Sequence, residues 1–280
     1  MYRLKDGRFT RCEEQLFPSS LPNVYTTLAT TDGSIWAAGE SFVLRSSPGQ
    51  AVQLYRDAPI RGEAIRAMCA DDQAVWLGTY YSTLLRVDAA GVTVVLTNGT
   101  LGGDIRSLAR EKPGTLWIGT AAGLYRWRDG QLRAWTTRDG LLSASIQALA
   151  CEPDGTLWIG TLGGGLARMK DGQIFNITSQ QGLEDNVVSQ ILLDEFGNLW
   201  LGSNHGIMRL ERAEVEALIE GRTSFLHASL LKQDDGIFEE QCANGHSPTA
   251  IKTSAGRMLF PTSAGIVEID PRRWLEHPGR

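Results

Sequence analysis

Short apolar runs separated by glycine-rich polar turns recur along the whole chain. The phrase Gly155-Thr-Leu-Trp-Ile-Gly-Thr161 is repeated at 114–120 and, slightly altered, at 197–203, with looser copies at 33–39, 73–79 and 256–262. The tryptophans of the first five copies are Trp36, Trp76, Trp117, Trp158 and Trp200, separated by 40, 41, 41 and 42 residues. In the sixth copy Leu259 stands at that place. A fixed period near 40 residues with one strand phrase per period indicates a repeat array.

Each repeat contains four short strand-like runs. In the fourth copy these are Ile146–Cys151, Leu157–Ile159, Leu166–Met169 and Gln173–Thr178, separated by Asp-Gly and Gly-rich turns. Leucine-rich and ankyrin units need helical spacing within the repeat, and none is visible here. The pattern therefore predicts an all-β fold, a β-propeller built from four-stranded antiparallel blades.

The strand that carries the tryptophan is apolar on both faces, as expected for a blade packed between two neighbours. The glycine two residues after the tryptophan leaves room for a close approach of the adjacent sheet. These glycines are Gly78, Gly119, Gly160 and Gly202. No helix follows them, which argues against a phosphate-binding role. We therefore interpret the repeated tryptophans and glycines as structural.

The repeat boundaries predict six to seven blades in a single domain over residues 1–280. The blades are expected at about 23–57, 64–98, 105–137, 146–178, 187–230 and from 249 to the end, with a short helical insertion at 212–220. Residues 2–9 match 125–132 position by position, so they are expected to form the third and fourth strands of a blade. We expect a piece of a longer protein whose terminal strands pair, with Phe9–Glu13 completing the last blade.

Composition excludes several partners. The net charge of −5 gives no basic field for nucleic acid, and no apolar run approaches the 18 residues that would indicate membrane contact. Cys69 and Cys151 fall on blades two apart and are expected to be free thiols, whereas Cys12 and Cys242 could meet near the closure. Cysteine and histidine spacing predicts no metal, and no cofactor is predicted.

The Gly-x-Leu-Trp-Ile-Gly-Thr phrase also carries a family resemblance. Together with the Gly-Leu-x-Arg strands (123–126 and 165–168) and the Gly-Leu pairs at 140–141 and 182–183, it resembles the regulator-propeller repeats in the sensor portions of bacterial hybrid two-component systems and related diguanylate cyclases. The resemblance implies a periplasmic sensor that binds an extracellular signal, in several relatives a glycan fragment. It also implies that a β-sandwich and membrane-linked signalling domains follow in the parent protein. Six repeats are fewer than the two full propellers of glycan-sensing relatives.

A ligand is expected on the face formed by the turns between the second and third strands and by the links between blades, here called face one. On face one the repeats differ from one another, whereas the Asp-Gly turns of the opposite face, face two, are repetitive. The candidate binding residues on the face-one turns and links are Glu40, Arg61, Tyr80, Tyr81, Asp185, Asn186, Asn204 and His205, and the long connection 232–248 adds Glu239 and His246.

For each candidate a structural alternative stays open. Tyr80 and Tyr81 could stack on a sugar or cover a neighbouring blade, and His205 could be a solvated turn residue. Glu239 and Glu240 are adjacent in sequence, which does not establish the convergence that acid–base catalysis on a glycoside needs. A column of arginines on the third strands is expected to be structural; these are Arg45, Arg86, Arg126, Arg168 and Arg209.

Three classes of function remain, because fold does not decide among them. The first is a non-catalytic sensor for a small molecule such as an oligosaccharide, acting as a monomer or homodimer, and the family phrase favours it. The second is a propeller enzyme resembling the streptogramin lyases, which needs a converging set of His and Glu side chains. The third is a protein-interaction platform.

Overall fold

The repeated tryptophan phrase forms the second strand of its sheet in a ring of six antiparallel blades. The computed structural model describes residues 2–5, 8–11, 23–112, 114–231 and 241–276. Before the ring, β1 (Tyr2–Lys5) and β2 (Arg8–Arg11) pair with each other as a two-stranded sheet. The predicted β-propeller is confirmed, and its blade count is six.

Blades 1 to 3 each contain four strands in sequence order from the innermost to the outermost. Blade 1 comprises β3 (Val24–Ala29), β4 (Ile35–Gly39), β5 (Phe42–Ser46) and β6 (Gln53–Tyr55). Blade 2 comprises β7 (Ile65–Ala70), β8 (Val75–Thr79), β9 (Leu84–Asp88) and β10 (Gly91–Leu96). Blade 3 comprises β11 (Ile105–Lys112), β12 (Thr115–Thr120), β13 (Gly123–Arg128) and β14 (Gln131–Trp135).

Blades 4 and 5 keep this order, and the last blade is shorter. Blade 4 comprises β15 (Ile146–Cys151), β16 (Leu157–Thr161), β17 (Leu166–Lys170) and β18 (Gln173–Ile177). Blade 5 comprises β19 (Gln190–Leu193), β20 (Leu199–Ser203), β21 (Gly206–Leu210) and β22 (Ser229–Leu230). Blade 6 comprises β23 (Ile251–Lys252), β24 (Met258–Thr262) and β25 (Gly265–Ile269). The described residues form two α-helices, α1 (Arg212–Ile219), the predicted insertion, and α2 (Pro271–Glu276).

The outer strand of blade 5 is short, and one expectation about strands needs correction. The outer strand of blade 5 is only the two-residue β22, because the preceding residues from Phe225 hydrogen-bond to the neighbouring link and to α1 instead of β21. In the described residues β2 pairs with β1 and not with blade 6, so the proposed completion of the last blade by Phe9 and its successors is not observed. Local hairpin pairing closes a much shorter loop than closure of the whole ring.

The recurring tryptophans join neighbouring blades. Trp158 and Trp200 are fully buried, and each lies in a cluster with apolar residues of the next blade. Their indole nitrogens donate to carboxylates of the first turn: Trp158 Nε1 to Glu152 at 2.7 Å and Trp200 Nε1 to Asp194 at 3.1 Å. The apolar ring thus fills the space between sheets while a charged acceptor satisfies its one polar atom.

The glycine after each tryptophan allows the close approach that the sequence predicts. A Cβ on Gly160 would lie 2.5 Å from the backbone oxygen of Val188 in blade 5. On Gly119 it would meet Ile146 of blade 4 at 2.6 Å, and on Gly78 it would meet Ile105 of blade 3 at 2.3 Å. Packing between neighbouring blades therefore requires glycine at these positions.

The arginine column is structural, as predicted. Each arginine stands directly opposite the tryptophan of its blade, and four guanidinium groups lie 5.3–5.8 Å from the indole centres. Ion pairs with nearby acids hold the same four, for example Arg45 with Asp32 at 3.0 Å and Arg209 with Glu211 at 2.9 Å. A cation stacked on an indole and paired with an acid is a support for the blade.

The Gly-Leu pairs before blades 4 and 5 end short 3₁₀ turns. Thr136 and Thr178 cap these turns, and Gly140 and Gly182 close them with φ of 105° and 106°, a left-handed conformation that favours glycine. The following Leu141 is 2% exposed. The motif therefore turns the chain onto the next blade and inserts a leucine into the core.

Candidate functional site

The structure brings some of the predicted face-one residues together and leaves others apart. Asp185, Asn204 and His205 form one hydrogen-bonded group: the Asp185 carboxylate accepts from the Asn204 backbone N–H at 3.0 Å and lies 3.2 Å from His205 Nδ1. Gln241 extends this group by donating to Asn204 Oδ1 at 2.9 Å. The His205 ring is mostly exposed, so the group presents an imidazole and amides to solvent.

The two tyrosines form a second group on face one. Tyr80 and Tyr81 are 47% and 49% exposed, and their rings meet edge to face with centres 5.3 Å apart. The guanidinium of Arg66 lies 4.4 Å from the Tyr80 ring centre. Exposed rings already in contact with a cation are available for stacking by a ligand and are not part of the core.

Other predicted residues take local roles. Asn186 hydrogen-bonds Ser179 through both its side-chain oxygen and nitrogen, so it braces the link between blades 4 and 5. Arg61 is highly exposed and pairs with Asp57 at 3.5 Å, and Glu40 bridges the backbone of Ala64. Within the described ranges no hydrogen bond or ion pair joins Arg61 or Glu40 to the two groups above. Glu239 and Glu240 lie outside the described residues.

The sequence places His246 only within the long connection 232–248, and the structure places it near the axis of the ring. Its ring is half-buried, with its centre 5.4 Å from that of Tyr25, and its Nδ1 lies 3.3 Å from the Asn244 oxygen. Burial, together with the positive charge of Arg66, lowers the pKa of His246 below its usual value. The imidazole is therefore held neutral near pH 7, in a place that already contains a guanidinium.

The segment that carries His246 crosses the central axis. Ser247 bridges the innermost strands of blades 1 and 2, because its oxygen accepts from the Thr26 hydroxyl at 2.9 Å and from the Met68 N–H at 2.8 Å. On the other side Gln190 of blade 5 donates to the Ala243 oxygen at 2.7 Å. Residues 241–250 are called the axial segment below. A cavity of about 60 Å³ lies between this segment and the innermost strands of blades 4 and 5.

A set of residues that sequence reasoning missed surrounds this segment. Four blades place a polar side chain at the same position of the innermost strand, and at each of these positions the strand register shifts at a β-bulge. We call these four residues the axial ring: Tyr25, Arg66, Arg106 and Gln147. A β-bulge inserts an extra residue and redirects its side chain, a device common beside binding sites.

Members of the axial ring are linked across three blades. Asp104 accepts from Arg106 Nε at 3.0 Å and lies 3.9 Å from Arg66 Nη1. Arg106 Nη1 donates to the Ser145 hydroxyl at 2.9 Å, and Gln147 reaches the same hydroxyl at 3.4 Å. Two guanidinium groups share one carboxylate, so the ring carries an excess positive charge.

Two polar atoms at the axis are buried without a hydrogen-bond partner among the described residues. They are Arg66 Nε, a donor, and Gln190 Oε1, an acceptor. Unpaired buried polar atoms are uncommon in folded proteins and mark places where a ligand or water supplies the missing partner. A comparison of the repeats contains the signal for this ring. In blades 1 to 4 the residue directly after the first apolar residue of the innermost strand is Tyr25, Arg66, Arg106 or Gln147.

No metal centre is visible in the described part of the chain, where no three His, Cys, Asp or Glu side chains converge in a ligating arrangement. The described helices include none that is long and apolar enough to cross a membrane. Cys69, Cys151 and Cys242 are free thiols, and burial raises their pKa to about 11. Cys242 is therefore not in a disulfide, and Cys12 lies outside the described residues.

The repeats and the ring define a six-bladed β-propeller whose repeats match a known family. The family model for the two-component regulator propeller matches residues 140–163 and 182–205, the two Gly-Leu links and the tryptophan strands beside them. The chain thus carries repeats of the two-component regulator propeller family. No curated protein matched the chain in sequence.

Solved structures share the fold. The extracellular domain of a hybrid two-component system from B. thetaiotaomicron superposes with a TM-score of 0.77 at 21% identity, covering 98% of this chain and 36% of that one. A second such domain from the same organism gives 0.70 at 17% identity, covering 91% and 32%. A streptogramin B lyase gives 0.70 at 14% identity, covering 94% and 83%. The chain therefore spans about a third of the length of the two-component relatives.

Proposed function

We propose that this chain is the ligand-binding sensor propeller of a bacterial two-component or diguanylate cyclase signalling protein, located in the periplasm as part of a membrane-anchored parent. The ligand is a small extracellular molecule that carries an acidic group, such as an acidic glycan fragment. The observation that carries the proposal is the axial ring, in which Arg66 and Arg106 share the single carboxylate of Asp104. A ligand carboxylate or sulfate between these guanidinium groups would satisfy Arg66 Nε.

The surrounding residues suit a sugar-like ligand. Tyr80 and Tyr81 offer exposed aromatic faces beside Arg66, and His246, whose Nδ1 faces the backbone oxygen of Asn244, supplies Nε2 as a hydrogen-bond acceptor without added charge. Asp185, Asn204 and His205 form an outer polar group on the same face. The ligand-induced change would reach a following β-sandwich and membrane-linked signalling domains, and the parent would act as a monomer or homodimer.

The test is calorimetric titration of the purified chain with trigalacturonate as the acidic probe and maltotriose as the neutral one. Arg66→Gln and Arg106→Gln should each weaken trigalacturonate binding by about tenfold or more, because each removes a charge-assisted hydrogen bond. Arg61→Gln is the matched control, since Arg61 lies on the same face but pairs only with exposed Asp57. Equal weakening by all three variants would mean that the probe responds to overall charge, and the axial assignment would fail.

The second candidate is an enzyme of the streptogramin-lyase type, favoured by the similar fold and by the 83% of that lyase chain that is covered. Recovery of the bound ligand after long incubation separates the two. We expect it unchanged, which fits a sensor without catalytic activity; conversion to a product would support the enzyme. An interaction platform would bind neither probe and would instead retain a protein partner.

A further inference from the structure

One residue beside the axial ring differs in kind from those at its place in the other repeats. Two positions before the four members of the ring stand Asn23, Ala64, Asp104 and Ser145. Of these four only Asp104 carries a charge, and its side chain is 13% exposed. The repeat therefore does not require an acid at this position, and the carboxylate of blade 3 has a local reason. The axial ring, the axial segment and Asp104 are together called the axial site.

The Asp104 carboxylate lies where an anionic group of a ligand would bind. Its Oδ2 accepts from Arg106 Nε at 3.0 Å and lies 3.9 Å from Arg66 Nη1, so a single oxygen of the chain faces both guanidinium groups. An oxyanion between guanidinium groups is also the arrangement expected for a bound carboxylate or sulfate. Asp104 therefore competes with a ligand for the same two cations.

The loop that carries Asp104 is held by contacts that do not involve its carboxylate. The Asp104 backbone oxygen accepts from the Ala121 N–H at 3.1 Å. The preceding Gly103 oxygen accepts from the Ser82 hydroxyl at 2.7 Å, and the side chain of the following Ile105 is fully buried. Backbone hydrogen bonds and a buried anchor fix the loop, so the conformation of the loop does not explain the acidic side chain.

Both guanidinium groups also have a contact besides Asp104. Arg106 Nη1 donates to the Ser145 hydroxyl at 2.9 Å. The Arg66 guanidinium lies 4.4 Å from the ring centre of Tyr80, close enough for a cation–π contact. Because each group keeps this second contact, removing the charge of Asp104 should leave the two arginines in place and expose them to a ligand.

The charge of the axial site follows from these contacts. Arg66 and Arg106 contribute two positive charges and Asp104 contributes one negative charge, which leaves one net positive charge. The axial segment adds none near pH 7, because burial lowers the pKa of His246 and raises that of Cys242 to about 11. One acidic group on a ligand neutralises the site, whereas a second negative charge is repelled by the Asp104 carboxylate.

We propose that Asp104 is a specificity-determining residue of the axial site, which selects singly charged acidic groups over doubly charged ones. This rests on the proposed function, since it takes the axial ring to be the place where an acidic ligand binds. Asp104 lowers the affinity for every anion by competing for the guanidinium groups, and it lowers the affinity for dianions most. Asp104→Asn keeps the shape of the side chain and removes the competing charge, so it should bind anions more tightly. Loss of a merely supporting side chain would weaken binding instead.

The test compares methanesulfonate with sulfate, two anions of similar shape that carry one and two negative charges. Binding is followed at constant ionic strength in ¹H–¹⁵N spectra of the arginine side chains, where Arg66→Gln and Arg106→Gln identify the two Nε–H cross-peaks by their loss. In Asp104→Asn we expect the affinity for sulfate to rise by about tenfold and that for methanesulfonate by only about threefold. The gain differs because the repulsion that is removed is proportional to the charge of the ligand.

Two further variants complete the test. Asp57→Asn removes the same charge from an exposed link on the same face, where Asp57 pairs with Arg61, and it should change neither affinity. Asp104→Ser copies the residue that blade 4 has at this position and repeats the test if the asparagine variant does not fold. Weaker sulfate binding by the Asp104 variants, or an equal gain in Asp57→Asn, would overturn this proposal and leave the axial anion site standing. Arginine cross-peaks that respond to neither probe in any variant would reject the axial anion site and this proposal with it.

Discussion

Replacing Trp158 by alanine tests whether the repeated tryptophans hold the ring together. Trp158 is fully buried between blades 4 and 5, and its Nε1 donates to Glu152 at 2.7 Å. An indole buries about 200 Å² of surface, which at about 25 cal/mol per Å² gives an upper bound of roughly 5 kcal/mol. Glu152 keeps its partner Arg212 at 2.8 Å, so the carboxylate is not left unpaired. We expect the free energy of unfolding to fall by about 3–5 kcal/mol.

The assay is equilibrium urea unfolding followed by circular dichroism, with two comparison variants. Trp158→Phe keeps most of the ring but removes the donor to a charged acceptor, and it should cost about 2 kcal/mol. Tyr80→Ala, in an exposed turn, should change stability by no more than about 0.5 kcal/mol. A loss below about 1 kcal/mol for Trp158→Ala, or an equal loss for Tyr80→Ala, would refute the assignment of these residues to core and surface.

Three further predictions concern packing, protonation and thiol reactivity. Gly160→Ala should destabilise the chain more than Gly155→Ala, because its Cβ meets the backbone of the next blade, whereas Gly155 has open space and only a positive φ to strain; urea unfolding compares them. The pKa of His246 is lower in the folded chain, so on acidification the imidazole is protonated first in the unfolded chain. Stability should therefore fall as the pH drops below about 6.5, and it should fall less in His246→Gln. A series of Tm measurements at different pH values checks this. In a Cys12→Ser variant the remaining thiols, with pKa raised to about 11, should resist a disulfide-exchange reagent at pH 8 until the chain is unfolded.

The architecture was predictable because it repeats. Because the repeat recurs about every 40 residues, equivalent positions occupy the same environment in several blades. Trp158 and Gly160 could therefore be interpreted from the residues at the equivalent positions, without knowledge of the neighbouring blade. Blade 5 and the chain ends were harder, since strand β22 and the N-terminal hairpin depart from the repeat through contacts that have no periodic pattern.

The candidate site was only partly predictable, for the opposite reason. Irregular turns indicated Tyr80, Asp185 and His205 as candidates, and the structure places Tyr80 beside Arg66 and Asp185 beside His205. Arg66 and Arg106 were missed because each sits inside a strand that otherwise looks like core. Only the β-bulge redirects them, and a bulge depends on the pairing partner, which a single strand does not reveal.

The axial segment has a consequence for how the ring comes apart. A series of blades that touch only their neighbours behaves as a linear array, which can fray from either end. Ser247 hydrogen-bonds blades 1 and 2, and Ala243 a few residues earlier bonds blade 5, so one strap joins early and late members of the series. The axial segment therefore links the blades into one closed structure, so that they are expected to unfold together. Cleavage of that strap by a protease would convert one sharp unfolding transition into several separate steps.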